Sequence, residues 1–271
     1  MSRIRRSAAA FAAVGVLALV APTGVLASSL ITISGATASY PLVALLAAKY
    51  SKLVHSVHFR ISQGGTQVGI NDVSAGRVTI GDVSRDPLAT DPAGLDFYPI
   101  AKYAVCVVTN SANHLSNLTT AQAVAIFTGK VKNWSEVPGA SASGAIDLIS
   151  RQSTAGVLSN FQTLLLEGKK VASTAATEGS EGLLRQQVKS DPNAIGFLSN
   201  YQADLGGLNV VSYNGIECSK STATSGTYGG TARFYEVTKG RASGAAAKFI
   251  SWIDHSAAAK RIISTQWVPI H

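Results

Sequence analysis

Charge is scarce in this chain of 271 residues: 14% are Asp, Glu, Lys or Arg, against 46% hydrophobic ones. That balance excludes a disordered chain and a highly charged nucleic-acid tail, and no collagen-like repeat is present. Cysteine is scarcer still, with only Cys106 and Cys218, and neither has the spacing of a metal site. Catalytic motifs are missing as well. His55, His58, His114, His255 and His271 form no H-E-x-x-H pattern, and no G-x-S-x-G elbow occurs. His55 and His58 read as surface or edge residues. The string GGTQVG lacks the Gly-Lys-Ser/Thr ending of a phosphate-cradling P-loop. Basic residues are scattered without the aromatic interleaving of a single-strand nucleic-acid platform. No catalytic residue, metal, cofactor or nucleic-acid partner is therefore expected.

What is present begins with an export signal. Arg3, Arg5 and Arg6 precede an apolar run over residues 8–20, followed by Pro22, Gly24 and the small-residue sequence Val25-Leu26-Ala27-Ser28. This basic, apolar, small-residue order marks a secretory signal peptide over residues 1–27, with cleavage after Ala27. A retained membrane anchor is the alternative, but the stretch is short and its small-residue end favours removal. Three arginines and no acidic residue leave with it, which takes the formal charge from +8 to +5. No later run of 18 or more apolar residues exists, so a soluble exported chain is expected, periplasmic or secreted. In an oxidising compartment the two cysteines could pair. Within the apolar run YAVCVVTN, however, Cys106 reads first as a buried thiol.

Along the rest of the chain strands alternate with helices. LITI, VHFRIS, RVTIGDVSRDP and LDFYPIAKYAVCVVTN read as β-rich runs, and IDLIS, AIGFLSNYQ, LNVVSYNG and TARFYEVTKG as later strands. Helices are expected at PLVALLAAKYSKL, QVGINDVSAG, LTTAQAVAIFTGKVKNW, VLSNFQTLLLEGK, TEGSEGLLRQQVKSDP and GAAAKFISWIDHSAAAKRIIS. The Ser/Thr/Gly-rich stretch near residues 219–230 reads as a loop. The alternation implies an α/β fold with mostly parallel strands. The length allows one large domain or two lobes.

Three of the strand-to-helix turns share a chemical property. SGATAS, QGGTQ and RQSTAG each place small, hydroxyl-bearing residues at a helix start, where unpaired N–H groups and the positive dipole end favour an anion. Any one of them is an ordinary cap. Their combination, with Arg151 opening the third and able to form bidentate bonds to an oxyanion, points to a ligand.

From about residue 31 to 270 the chain resembles the periplasmic phosphate-binding proteins of bacterial ABC phosphate transporters, within the two-lobed substrate-binding proteins. SGATASYP, QGGTQVGINDVSAGRVTIGDVSRDP, LTTAQAVAIFTGKVKNW, ISRQSTAGVLSNF, NAIGFLSNY and ARFYEVTKG carry it, in that order. The third is the most specific, although Ile126, Phe127 and Trp134 within it read as packing residues. The resemblance implies a type II periplasmic-binding-protein-like fold, with residues 30–103 and 230–271 in the first lobe and 104–229 in the second. It implies a monomer that captures inorganic phosphate or a related oxyanion between the lobes, closes by a hinge motion and delivers the ion to an inner-membrane ABC permease.

Matched position by position, the family's first anion loop falls on Gly35-Ala36-Thr37, which makes the Thr37 hydroxyl and the Ala38 N–H ligand candidates. The second falls on Gly64-Gly65-Thr66 and the third on Val83-Ser84-Arg85. Ser84 occupies a position that holds a proton-accepting aspartate in some members, and Asp82 is the nearest carboxylate. In the fourth element the family's Arg-x-x-Gly-Ser-Gly-Thr reads here as Arg151-Gln152-Ser153-Thr154-Ala155-Gly156-Val157. Arginine and the last glycine are kept. Ala155 and Val157 replace two hydroxyls, for which Ser153 and Thr154 are candidates to compensate. Thr37, Ala38, Thr66, Asp82, Ser84, Arg151, Ser153, Thr154, Ala155 and Gly156 are thus the expected site. Sulfate, tungstate or molybdate binding is the alternative within this class; a scaffold that kept the fold without the ligand is another, and an exported hydrolase trails both.

Overall fold

The computed structural model describes residues 28–271; the expected signal peptide lies outside the described residues. The run SLITISG forms β1 (Ser29–Gly35), and its alternation turns Ile31 and Ile33 inward, each 1% exposed. They join the buried cluster of Leu42, Val43 and Leu46 from α1 (Tyr40–Leu53), which carries Pro41 in its first turn, where a missing N–H costs nothing. Next come β2 (Val57–Gln63), α2 (Thr66–Ser74), β3 (Ile80–Val83) and the 16-residue β4 (Leu95–Asn110). The middle of the chain supplies β5 (Asn117–Leu118), α3 (Thr120–Phe127), β6 (Asp147–Arg151) and α4 (Gly156–Asn160), which runs on into a π-helical turn, Phe161–Leu165. Then follow β7 (Ala176–Glu178), α5 (Glu181–Ser190), β8 (Ala194–Ser199), α6 (Asn200–Ala203) and β9 (Leu208–Tyr213). The chain closes with α7 (Lys220–Ser225), β10 (Thr231–Lys239), α8 (Gly244–His255) and α9 (Ala257–Gln266).

The strands lie in the order β2-β1-β3-β10-β4-β8-β6-β7, with β9 also on β4 and β5 on β9. Around β1 and around β6 the pairings are parallel, as helix-bearing crossovers require. The expectation of mostly parallel strands needs correction at the centre, where β10 runs antiparallel to β3 and β4, and β4 antiparallel to β8 and β9. The reason is topological: β4 leaves the first half of the molecule for the second, and β10 comes back. Residues 95–104 of β4 pair with β10, and Val105 to Thr109 pair with β8. One long strand therefore belongs to both halves.

Each half has its own aromatic packing. Tyr50, Phe59, Phe249 and Trp252 cluster in the first, Phe127, Phe161 and Phe197 in the second, with the last two stacked at 4.1 Å. All six residues of β8 are buried, which is why AIGFLS reads as a continuous apolar run. Ile126, Phe127 and Trp134 pack in this half at 1% exposure or less.

Three local expectations are corrected. Lys220–Ser225 is helical, because Ser219 and Thr222 form a capping box and Gly226 closes the turn in the left-handed region. The last helical stretch breaks at Ser256, whose hydroxyl accepts from the Ala258 N–H and starts α9. Cys106 is not a free thiol: it is bonded to Cys218, with their Cα atoms 5.5 Å apart. The pairing of β9 with β4 carries the segment after β9 back beside Cys106. In chain-entropy terms a crosslink across 112 residues is worth about 5 kcal/mol.

Candidate anion site

The loops that follow β1, β2, β3 and β6 meet around one tightly closed void, lined by Ala36, Thr37, Ala38, Gly65, Thr66, Ser84, Arg151, Ala155, Gly156 and Val157. Three helices begin there, α1, α2 and α4. None of their N-cap side chains bonds to the helix it precedes. Elsewhere Thr119, Ser180, Ser219 and Ser256 do cap α3, α5, α7 and α9, whereas Ser199 and Ser243 leave α6 and α8 without a side-chain cap as well. The N-caps of α2 and α4 are Gly65 and Ala155, which carry no capping group, and one first-turn amide of α2, Gln67 N–H, is taken by Thr154 O.

The first-half side is built on hydroxyls. Thr66 Oγ1 accepts the Ser84 N–H at 3.0 Å and lies 3.1 Å from Ser84 Oγ. Behind it the Ser84 carbonyl accepts from Tyr103 Oη at 2.9 Å and from Asn160 Nδ2 at 2.6 Å. Gly65 precedes α2 at φ +95°, and a Cβ there would lie 2.6 Å from Thr154 Oγ1, so both the turn and the close approach demand glycine.

Opposite stands Arg151 at the end of β6, 2% exposed. Its Nε donates to Glu178 O at 3.0 Å, and its Nη2 to Thr37 Oγ1 at 3.1 Å and to Gly179 O at 3.2 Å. Its Nη1 is buried without a partner. Burial lowers the basicity of this guanidinium, and the charges of Glu181 and Glu178 oppose that. Glu181, 1% exposed in the first turn of α5, accepts from Ser199 N and Oγ at 2.7 and 2.6 Å. Burial pushes its carboxyl up, against Arg151 and the Ser199 bonds. A buried donor left unpaired is costly, and an oxyanion is the partner that would satisfy it.

The two sides touch. Besides Arg151 and Thr37, Gln67 N donates to Thr154 O at 3.0 Å, and Thr154 Oγ1 to Gly64 O at 3.2 Å. A Cβ on Gly156 would lie 2.5 Å from Thr66 Oγ1 and 2.6 Å from Ser84 Oγ. The cleft is closed.

Of the residues expected from sequence, Thr37, Ala38, Thr66, Ser84, Arg151, Ala155 and Gly156 line the cavity, and Asp82, Ser153 and Thr154 do not. Ser153 is exposed, on the tight turn in which Ala155 N donates to Gln152 O. Thr154 is used in the contact with Gly64 and Gly65, so neither hydroxyl replaces those missing at Ala155 and Val157. Asp82 lies behind the loop, accepting from Ser39 Oγ at 2.5 Å. Ala36, Gly65 and Val157 complete the lining and were legible only as neighbours of motif residues. Glu181 gave no signal, because an acidic residue in a helix's first turn is the ordinary complement of its dipole.

A closed cleft between two α/β halves joined by shared central strands, with helix starts and a buried arginine facing one void, is the architecture of a two-lobed substrate-binding protein. The chain belongs to the PBP superfamily, whose domain model matches residues 21–255. It is 29% identical over 250 residues to the phosphate-binding protein PstS of Bacillus subtilis, across 90% of this chain and 82% of that one. Similarity to the PstS of Borreliella burgdorferi is 25% over 210 residues, covering 73% of this chain and 75% of the relative. Among solved structures, a Clostridium perfringens protein described as a phosphate ABC transporter substrate-binding protein, crystallised with bound phosphate, superposes with a TM-score of 0.83 at 26% identity. That match covers 90% of this chain and all of the other. The family is one of substrate-binding proteins, not of enzymes. No helix among the described residues is long and apolar enough to cross a membrane.

Proposed function

We propose that this protein captures inorganic phosphate between its lobes and delivers it to an ABC permease, as an exported monomer freed of residues 1–27. The lobes comprise residues 30–103 with 230–271, and 104–229. The observation that carries this reading is the unpaired Nη1 of Arg151 at a void onto which three uncapped helices open. The names of its relatives support phosphate in particular.

Thr37, Ala38, Thr66 and Ser84 hold the ion from one lobe, and Arg151, Ala155 and Gly156 from the other, the latter two through backbone N–H groups. Because both lobes contribute, the ion stabilises the closed state, and the permease reads that state. No carboxylate lines the void. A proton on the bound phosphate is therefore accepted by a neutral oxygen such as a Ser84 or Thr66 hydroxyl, which discriminates against sulfate less strongly than a carboxylate does.

The test is thermal stability of the mature chain titrated separately with phosphate, sulfate and tungstate. Phosphate at a hundredfold excess over its Kd adds about 2.7 kcal/mol of stability. A larger rise with sulfate or tungstate reassigns the ligand. No rise with any of the three leaves a scaffold that has kept the fold.

A further inference from the structure

Directly behind the anion loop the sheet buries two acids side by side. Asp82 of β3 and Glu236 of β10 are register partners, 2% and 0% exposed. Both carboxyl oxygens of Glu236 are buried without a hydrogen-bond partner, and among the described residues no salt bridge reaches either acid. Two adjacent buried carboxylates cannot both be ionised without a large cost, and holding a proton relieves it.

The pair is tied to the void by two bonds. The Asp82 carbonyl accepts the N–H of Ala36, a lining residue, at 2.9 Å. Its carboxylate accepts Ser39 Oγ, the N-cap hydroxyl of α1, which is thereby kept from capping the helix that opens on the void. We infer that Asp82 and Glu236 form a proton-linked pair beneath the anion site, so that the anion is held tightly while the pair is protonated and released more readily as it ionises. This rests on the anion reading above, since the linkage acts on that ligand.

The surroundings leave little else to titrate. Asp82 faces Gly35 of β1 on its other side, and Glu236 faces Tyr98 of β4, whose hydroxyl accepts the Ala242 N–H. From α1 and α8 come the apolar side chains of Leu42, Val43, Ala246 and Phe249, in the same buried cluster as Ile33 and Ile80. On α2, Asp72 is occupied by Ser34 and Arg77. Arg85 is neutralised by Asp91, and Arg151 is the cation on the far wall of the void. Burial raises the Asp82 carboxyl to about 7, against the Ser39 bond. Burial first, then the Asp82 charge, pushes Glu236 well above the usual carboxylate range.

The sign follows. A carboxyl whose folded pKa is raised contributes stability at acid pH that is lost as pH climbs from the ordinary carboxylate range to about 7. Ionised Asp82 also repels an anion across the loop that follows β1, so binding takes up a proton and weakens as pH rises through that value.

Calorimetric titration of the mature wild type, Asp82→Asn and Glu236→Gln with inorganic phosphate tests this, in buffers of different ionisation enthalpy. Phosphate's own titration is common to all three proteins and cancels in the comparison. From about pH 6 to about pH 8 the wild-type affinity should fall about tenfold more than that of Asp82→Asn, with a correspondingly larger proton uptake. Phosphate binding with the same pH profile and proton count in wild type and both variants overturns the inference. If Asp82→Asn fails to fold, Glu236→Gln and the protonated-carboxyl C=O stretch of the wild type at neutral pH decide it, and absence of that band overturns it. Should phosphate fail to bind at any pH, the anion reading falls and takes the linkage with it. The pair itself is then judged on the ligand-free Tm, which in the wild type should drop more between about pH 5 and about pH 8 than in either variant.

Discussion

Two buried arginines stand at corresponding strand ends, one in each half of the molecule, and they are treated in opposite ways. Arg85, just past β3, is clamped by both oxygens of Asp91 at 2.9 and 2.6 Å, with Gln67 Oε1 and the Asp86 carbonyl taking further N–H groups. Burial alone would raise the Asp91 carboxyl, but the Arg85 bonds, the Leu88 N–H and the Arg85 charge hold it below its ordinary value. Arg151, at the end of β6, has two carbonyls, one hydroxyl and a bare Nη1. The same residue type thus does two jobs. Where a carboxylate is paired directly with it, arginine braces a loop; where the nearby acids make no salt bridge to it, one N–H group stays open, which is what the proposed anion site uses.

The contrast can be broken from either end. Asp91→Ala leaves Arg85 uncompensated and should cost the most, about 3 kcal/mol of stability by chemical denaturation. Phosphate affinity, measured on the remaining folded protein, should change little. Arg151→Ala should do the reverse, weakening phosphate binding by about 2–3 kcal/mol, or roughly 30- to 150-fold, with a smaller effect on ligand-free stability. A loss of stability as large as that of Asp91→Ala would mean that Arg151 is a brace as well.

Gly156→Ala sharpens the picture of the closed cleft. Its methyl group would press on Thr66 Oγ1 and Ser84 Oγ, and prising the walls apart should cost about 1–3 kcal/mol in phosphate affinity by calorimetry. The smallest effect belongs to Arg185→Ala. That side chain donates to the carbonyls of Leu205 and Gly206, away from the void, and its loss should leave phosphate affinity within about 0.5 kcal/mol of wild type. An effect equal to that of Arg151→Ala would misplace the cleft.

Much of this architecture was legible from residues alone, because local periodicity and capping are local physics. The LDFYPIAKYAVCVVTN run is β4 from end to end. Thr119, with Gln122 three residues on, starts α3 by a capping box that spacing announces. Within the site, Thr37, Thr66 and Arg151 could be named because each sits at a strand-to-helix turn whose composition favours an anion, and Ser84 because the resemblance to the family places it at the end of a strand. Less legible was the direction in which side chains point once a turn tightens. Ser153 and Thr154 carry the hydroxyls that a reader of the sequence would recruit, yet the turn before α4 aims one outward and spends the other on Gly64.

By itself, then, the sequence determined the α/β alternation and the family, since each rests on patterns within a few dozen residues. The tertiary structure decided what depends on distant segments meeting. Cys218 comes to Cys106 only because β9 pairs with β4, and Glu236 comes to Asp82 only because β10 returns between β3 and β4. The scarcity of charge likewise acquires its meaning there. Burial decides which few charges count, and neighbours decide whether each is neutralised, protonated or left open to a ligand.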